Sequence, residues 1–417
     1  MKMIDYLKEI FCKYGGKHNG HRHIICPYCS GEIDTSLERL VFACSRHPNQ
    51  KLAGNISDIK QGIYPNCPDC QAEYRRYLML SDSIKCNAFQ QDGKEGCGKL
   101  IPVQFLDPEC EVYRISLVGT VLSGKTCFKA RLNEEIKHFF EHWYFPKQTH
   151  DIIHLEIGKP LPNSTATLSD ENFLFEQPDF IGFKTKDGRK IILIIYDFAG
   201  EDIYNAASFT QRKLTNRNDI GVKVRKIVMQ SDAVFFLIDP EQNLAGHFGN
   251  ADLSQQLGEE QLAMFDIMYN LLTFVNNTKQ ATPDIAAPKI AYIFTKLDKD
   301  IIKAVFKRIN DKHIVDNIDL IWDKEGNPIY TDYNMASSIP NYMPIIKDVV
   351  KQQDVRYLSL FEPPPFAKAD DIHFFVTSAL GMDSEVSLLP GKMPIIQRKG
   401  PAFGILDSLF WLIGKQS

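Results

Sequence analysis

Short apolar runs punctuate the chain at Tyr113–Gly119, Ile191–Asp197, Ala233–Asp239, Lys289–Thr295 and Ile372–Thr377. Each is strand length, and helix-spaced stretches separate most of them, which is the alternation of a mostly parallel sheet covered by helices. A further run, Asp179–Thr185, joins Ile191–Asp197 through Lys186-Asp187-Gly188-Arg189. Asp-Gly is a preferred tight-turn pair, so one antiparallel edge is expected in the parallel sheet. Cys127–His142 predicts a helix directly after the first strand, and Phe403–Ile413 a short closing helix packed on the sheet. The pattern is interrupted twice. Residues 1–111 carry short strand-like pieces with no long helical period. Residues 311–368 are polar, end near Pro363-Pro364-Pro365, and read as an insertion between the fifth and sixth strands. The expected division is 1–63, 64–111 and 112–417.

Composition narrows this picture. A chain of 417 residues exceeds one ordinary core, and 44% hydrophobic with 24% charged residues is the balance of a globular protein. The formal charge of −4 offers no general attraction to nucleic acid or anionic membrane. No apolar run approaches the roughly 20 residues of a bilayer span, so stable membrane insertion is not expected. The first residues lack the continuous apolar segment of a signal peptide, and a cytoplasmic location is expected.

Eight of the ten cysteines lie between Cys12 and Cys97. Cys26-x2-Cys29, Cys44-x2-His47 and Cys67-x2-Cys70 are knuckle spacings, followed by Cys86 and Cys97. Zinc takes four soft ligands in a tetrahedron, and each knuckle supplies two from one tight turn. Two structural sites are expected: Cys26, Cys29, Cys44 and His47, then Cys67, Cys70, Cys86 and Cys97. Spacing leaves open a cross-braced sharing of ligands, a surface role for His47, and Cys110 in place of Cys97. Closed four-ligand sites leave no position for catalysis.

The chemistry concentrates downstream. Gly119-Thr120-Val121-Leu122-Ser123-Gly124-Lys125-Thr126 follows the first strand and opens the first helix, as a phosphate-binding P-loop requires. Its backbone N–H groups, including that of Ser123, wrap a phosphate. Lys125 reaches the β- and γ-phosphates, and the Thr126 hydroxyl binds magnesium. Cys127 is a small packing residue against the same loop. Asp197-Phe198-Ala199-Gly200 ends the third strand, where a carboxylate holds magnesium through water and the Gly200 N–H meets a γ-phosphate. Thr165 and Thr167 are the candidates for a second magnesium-capping hydroxyl. Thr295-Lys296-Leu297-Asp298 follows a later strand. The Asp298 carboxylate accepts two hydrogen bonds from guanine, whereas adenine would leave it unpaired at a cost of about 1–3 kcal/mol. The Lys296 stem covers the base, and backbone N–H groups at Ser378-Ala379 reach the guanine carbonyl.

With these motifs in this order, residues 113–310 and 370–413 resemble the G domain of Ras-like, TRAFAC-class GTPases. Asp-Phe-Ala-Gly followed by acidic residues is similar to Roc GTPase domains. The zinc-ribbon front end resembles bacterial double-GTPase proteins of proposed conflict systems. The resemblance implies an α/β Ras-like P-loop GTPase with a mostly parallel sheet, preceded by a small zinc-ribbon module. It implies GTP/GDP, Mg2+ and two Zn2+ as ligands, and a switch that turns GTP into GDP and phosphate. Thr295 stands where the family usually has Asn, and the first switch segment is longer than in Ras. Glu201 stands where the family usually places a water-orienting Gln. A carboxylate near the γ-phosphate adds repulsion and lacks the amide's donor, so slow hydrolysis is expected, relieved by a partner. Arg212 and Arg217 lie close behind and are expected at the solvated surface.

Residues 1–111 hold 14 Lys+Arg against 14 Asp+Glu. Thiolate-bound zinc adds further negative charge, a poor footprint for phosphates. A protein partner or second GTPase is therefore favoured over nucleic acid as the zinc module's target. Two other functions stay in view: a module that holds GTP without hydrolysing it, and a nucleic-acid-associated zinc-ribbon NTPase.

Overall fold

A computed structural model of the chain describes residues 24–29, 31–33, 39–44, 47, 51–55, 61, 63, 66–69, 78–86, 97–106, 110–120, 123–144, 155–160, 178–198, 224, 227–239, 251–281, 286–296, 364, 367–381, 385–387, 395–400 and 402–414. Most of the expected insertion at 311–368 lies outside them. The front of the chain forms β1 (Ile24–Ile25), β2 (Glu32–Ile33), β3 (Arg39–Cys44), β4 (Lys51–Asn55), β5 (Leu78–Lys85) and β6 (Leu100–Pro102). Then come β7 (Cys110–Val118), α1 (Lys125–Phe139), β8 (Glu141–Tyr144), β9 (Asp179–Lys184), β10 (Lys190–Asp197) and β11 (Ala233–Ile238). The remainder is α2 (Ala251–Ala281), β12 (Lys289–Phe294), β13 (Ile372–Val376), β14 (Glu385–Ser387), β15 (Ile395–Arg398) and α3 (Asp407–Ile413).

Two compact units result. One comprises Met1–Val112, His142–Thr149 and Phe175–Ile194; the other comprises Tyr113–Glu141, His150–Leu174 and Ile195–Ser417. A seven-stranded sheet has the order β13-β12-β11-β7-β10-β9-β8. Its pairs β7–β11, β11–β12 and β12–β13 are parallel. The Asp-Gly hairpin forms as expected. Thr185 and Gly188 close it through Thr185 N–H to Arg189 O and Gly188 N–H to Thr185 O, both 2.9 Å, with Gly188 at φ 90°.

In the first unit a separate sheet runs β4-β3-β5-β6. Its central pair, β3–β5, is antiparallel from Arg39↔Lys85 to Cys44↔Leu78. That ladder joins residues from both sides of the boundary expected at 63/64. Tyr28 and Phe105 both pack on Phe180 of β9, with ring centroids at 6.1 and 5.8 Å.

In the second unit β11 and β12 are apolar on both faces, as strands covered on both sides are. Tyr292 stacks on Phe374 at 4.9 Å and on Phe236 at 5.7 Å, across β12, β13 and β11 on one side of the sheet. On α2 the buried positions Met264, Ile267, Met268, Leu271 and Val275 recur at helical spacing and form one stripe, while Tyr269 faces out. Helix α1 begins two residues earlier than the apolar pattern suggests and ends three earlier. Phe140 turns extended (φ −108°, ψ 155°) and leads directly into β8. The closing helix is likewise shorter than the apolar run, because Phe403 pairs with Ser378 as a β-bridge instead. Every residue of α3 is buried. Phe410 meets Phe139 of α1 and the following Phe140 at 5.2 and 6.0 Å, and Trp411 meets Phe375 at 5.8 Å. Burying each such ring contributes about 1.5–3 kcal/mol. Among the described residues no helix is long and apolar enough to cross a membrane.

The turn into α3 depends on Gly404, at φ 64° with no room for a side chain: a Cβ would meet Val376 O at 2.2 Å. Gly404→Ala is expected to lower stability by about 2 kcal/mol or more, because left-handed strain alone costs about 1–2 kcal/mol before the clash. Denaturant unfolding followed by tryptophan fluorescence measures it, and an unchanged midpoint would contradict this packing.

Candidate nucleotide-binding site and metal centre

The register of the parallel strands brings the motifs together. Val118 pairs with Phe236, Ile238 pairs with Phe294, and Phe294 pairs with Val376. Gly119, Asp239, Thr295 and Thr377 therefore emerge on one edge, the carboxyl ends of β7, β11, β12 and β13. Ligands of open α/β sheets bind outside that edge. Because β7 stops two residues lower than β11 in this register, a recess is left above it, and the P-loop fills it.

Two glycines make the loop possible. A Cβ on Gly119 would meet Ser123 Oγ at 2.5 Å and Leu237 O at 2.9 Å, while Gly124 caps α1 at φ 88°. Lys125 is 6% exposed, and its ammonium donates to Gly119 O at 2.6 Å and Thr120 O at 3.5 Å. Burial pushes its pKa down and nearby Asp197 pulls it back up. Thr126 is buried beside it, and Ser123 Oγ is buried without a hydrogen-bond partner. A buried cation hydrogen-bonded to backbone carbonyls, an orphaned hydroxyl and a helix N-terminus aimed at the same point are what an anionic phosphate group fits.

Asp197 ends β10 as expected. It forms an ion pair with Lys129, one turn into α1, at 3.0 Å. This partner was not singled out from the sequence; the i+4 offset of Lys129 from Lys125, on one helical face, is the signal that was there to find. Thr295 Oγ1 donates to Ser123 O at 2.8 Å, fastening the end of β12 to the P-loop. A threonine can do this in place of the usual Asn because the acceptor is a backbone carbonyl. Lys296 adopts a left-handed backbone (φ 62°), and its ammonium pairs with Asp239 at the end of β11. Asp239 is 1% exposed, a buried acid that the motif pattern did not flag. After β13, the Ser378 N–H is committed to Phe403 O at 3.0 Å and Ser378 Oγ accepts from Gly381 N–H at 3.0 Å. Thr165, Thr167, Gly200, Glu201, Arg212, Arg217 and Asp298 lie outside the described residues.

The cysteine pairing differs from expectation. Cys26, Cys29, Cys86 and Cys97 gather with all sulfurs within 4.8 Å of one another. The first knuckle thus joins the last two cysteines, not Cys44 and His47, and Cys86 and Cys97 do not join Cys67. This is neither the sequential nor the cross-braced pairing. The cause is the antiparallel β3–β5 ladder: the chain before β3 and the chain after β5 must meet at one end. Cys26–Cys97 and Cys29–Cys86 are 3.8 Å apart. Zinc–sulfur bonds of about 2.3 Å in a tetrahedron put sulfurs about 3.8 Å apart, whereas a disulfide needs about 2.05 Å. Hydrogen bonds from the neighbouring thiols, Cys26 first, hold Cys29 well below the usual thiol range, while the same contacts push Cys26 up. The donor set therefore fits zinc. Cys110 is buried apart from it, its thiol directed to Glu111 O.

The sheet order, the P-loop after its first strand and the antiparallel second strand define an α/β fold of the Ras-like P-loop type. No family model matches the chain, and no curated protein does. Among solved structures it is similar to a protein assigned as nucleolar GTP-binding protein 1 of Plasmodium falciparum. The identity is 14% and the TM-score 0.25, over 65% of this chain and 78% of that one. It is also similar to the bacterial selenocysteine-specific elongation factor EF-Sec, at 13% identity and TM-score 0.22. That match covers 46% of this chain but only 22% of the elongation factor. Overlaps this loose leave the chemistry to this chain's own residues.

Lys125→Ala is expected to weaken nucleotide binding at least ten- to a hundredfold, since hydrogen bonds to charged groups contribute about 1.5–3 kcal/mol. Zinc content should stay unchanged. Titration calorimetry showing equal GTP affinity in the two proteins would end the phosphate-loop assignment.

Proposed function

We propose that the chain is a GTP-binding switch that hydrolyses GTP slowly, with its zinc module docking a protein partner or a second GTPase. The observation that carries the nucleotide part is the buried Lys125 ammonium, hydrogen-bonded to P-loop carbonyls on the edge where four strand ends converge. On binding, Lys125 exchanges Gly119 O and Thr120 O for β- and γ-phosphate oxygens, and the N–H groups opening α1 face the same phosphates. Bound magnesium supplies charge neutralisation between the phosphates; Thr126, Asp197 and Thr165 are the residues that would hold it. In that role Asp197 would exchange its ion pair with Lys129, at 3.0 Å, for the metal.

Guanine is the base this reading selects. Asp298 accepts from the ring N–H and the exocyclic amine, the Ala379 N–H donates to the carbonyl, and the Lys296 stem covers the ring. The left-handed backbone at Lys296 supports the assignment, because it turns the chain sharply at the edge where the base would sit. Glu201 directs the slow turnover through its charge. The equal numbers of basic and acidic residues in 1–111, with the added negative charge of thiolate-bound zinc, favour a protein over nucleic acid as the docking target.

Two substitutions test the reading. Asp298→Asn is expected to shift preference from guanine toward xanthine nucleotides, whose extra carbonyl suits an amide donor. Equal affinity of the unmutated chain for ATP and GTP would refute base recognition. Glu201→Gln is expected to raise single-turnover hydrolysis, each 1.4 kcal/mol of recovered stabilisation giving about tenfold. A slower variant would mean the carboxylate itself is catalytic, and no hydrolysis by either protein would favour a holding module.

A further inference from the structure

The β3–β5 ladder has two ends, and only one is accounted for by the four-cysteine cluster. At the other, the last pair is Cys44↔Leu78, so the chain leaving β3 meets the chain entering β5. His47 and Cys67 lie there, with His47 Nδ1 and Cys67 Sγ 3.4 Å apart and an Asp69 oxygen within 4.8 Å of both. Cys67 is fully buried.

We propose that this end holds a second zinc ion, ligated by His47 and Cys67 and completed by Cys44 and Cys70 into a Cys3His set. The claim rests on the zinc-module reading and adds a site nested inside the loop that the first centre closes. Zinc bonds of about 2.3 Å to sulfur and about 2.05 Å to nitrogen place neighbouring tetrahedral ligands about 3.6 Å apart, close to the observed separation. A lone thiol–imidazole hydrogen bond has a similar length. It does not explain why each of the two residues carries a cysteine partner three positions away: Cys44-x2-His47 and Cys67-x2-Cys70. Cys70 and the Cys44 side chain lie outside the described residues, so the sequence spacing supplies them. Asp69 is the competing fourth ligand. It is exposed and offers a hard oxygen, whereas Cys70 offers the thiolate that structural zinc sites favour.

The test is metal analysis with zinc-edge X-ray absorption on the full chain. The expected result is about two zinc ions, with scattering averaging about 3.5 sulfurs and 0.5 nitrogen per ion. Cys67→Ser should leave one zinc in an all-sulfur shell, and Cys86→Ser should leave one zinc with a nitrogen in its shell. Asp69→Asn should keep both. One zinc with only sulfur in the unmutated chain would overturn the second centre while sparing the first; no zinc at all would instead remove the zinc module. Loss of one zinc in Asp69→Asn would overturn the Cys3His assignment. If a cysteine variant does not fold, the nitrogen signal of the unmutated protein still decides.

Discussion

Strand register is the constraint on which the nucleotide edge depends. Parallel pairing from β7 through β11 and β12 to β13 sets four chain exits side by side, and Asp197 at the end of neighbouring β10 joins them. A slip of one residue in any of these ladders would turn an entire strand's side chains to the opposite face. The fully buried rings of Phe236, Tyr292 and Phe374 oppose such a slip, because each fits one place in the stack across β11, β12 and β13. Packing deep in the sheet thereby sets the position of Thr295, whose hydroxyl fastens the P-loop from across the edge.

Electrostatics then complete what packing positions. Lys125 and Lys129 both lean on Asp197, and Lys296 leans on Asp239. Each cation of the site thus has an internal partner or carbonyl dipoles to hold it in place, and none is an isolated buried charge.

The sheet, its antiparallel hairpin and the P-loop were legible in the sequence because each depends on short-range spacing. Gly119 to Thr126 spans a single turn into a helix, and Asp187-Gly188 is a local turn. What was not legible depends on partners far away in the chain. The cysteine pairing follows from the β3–β5 ladder, and knuckle spacing alone carries no record of which strands pair. The Lys129–Asp197 and Lys296–Asp239 pairs join residues on different elements, and the only local mark of either is the i+4 offset of Lys129 from Lys125. The bridge that commits Ser378 to Phe403 was hidden in the same way, inside an apolar run that reads as continuous helix.

The four-cysteine cluster ties residue 26 to residue 97, with a single knuckle on one side and two separated cysteines on the other. Closing a chain loop costs free energy that grows only with the logarithm of its length, about 0.6 kcal/mol for each doubling. The front module is therefore tolerant in one dimension and rigid in another. Outside β3, β4 and β5, its connecting segments can lengthen or shorten over evolutionary time at small energetic cost. The two-residue gap between Cys26 and Cys29 cannot, since one added residue would swing a sulfur out of the tetrahedron. Relatives of this chain would be recognised by the knuckle, not by the distance between its anchors.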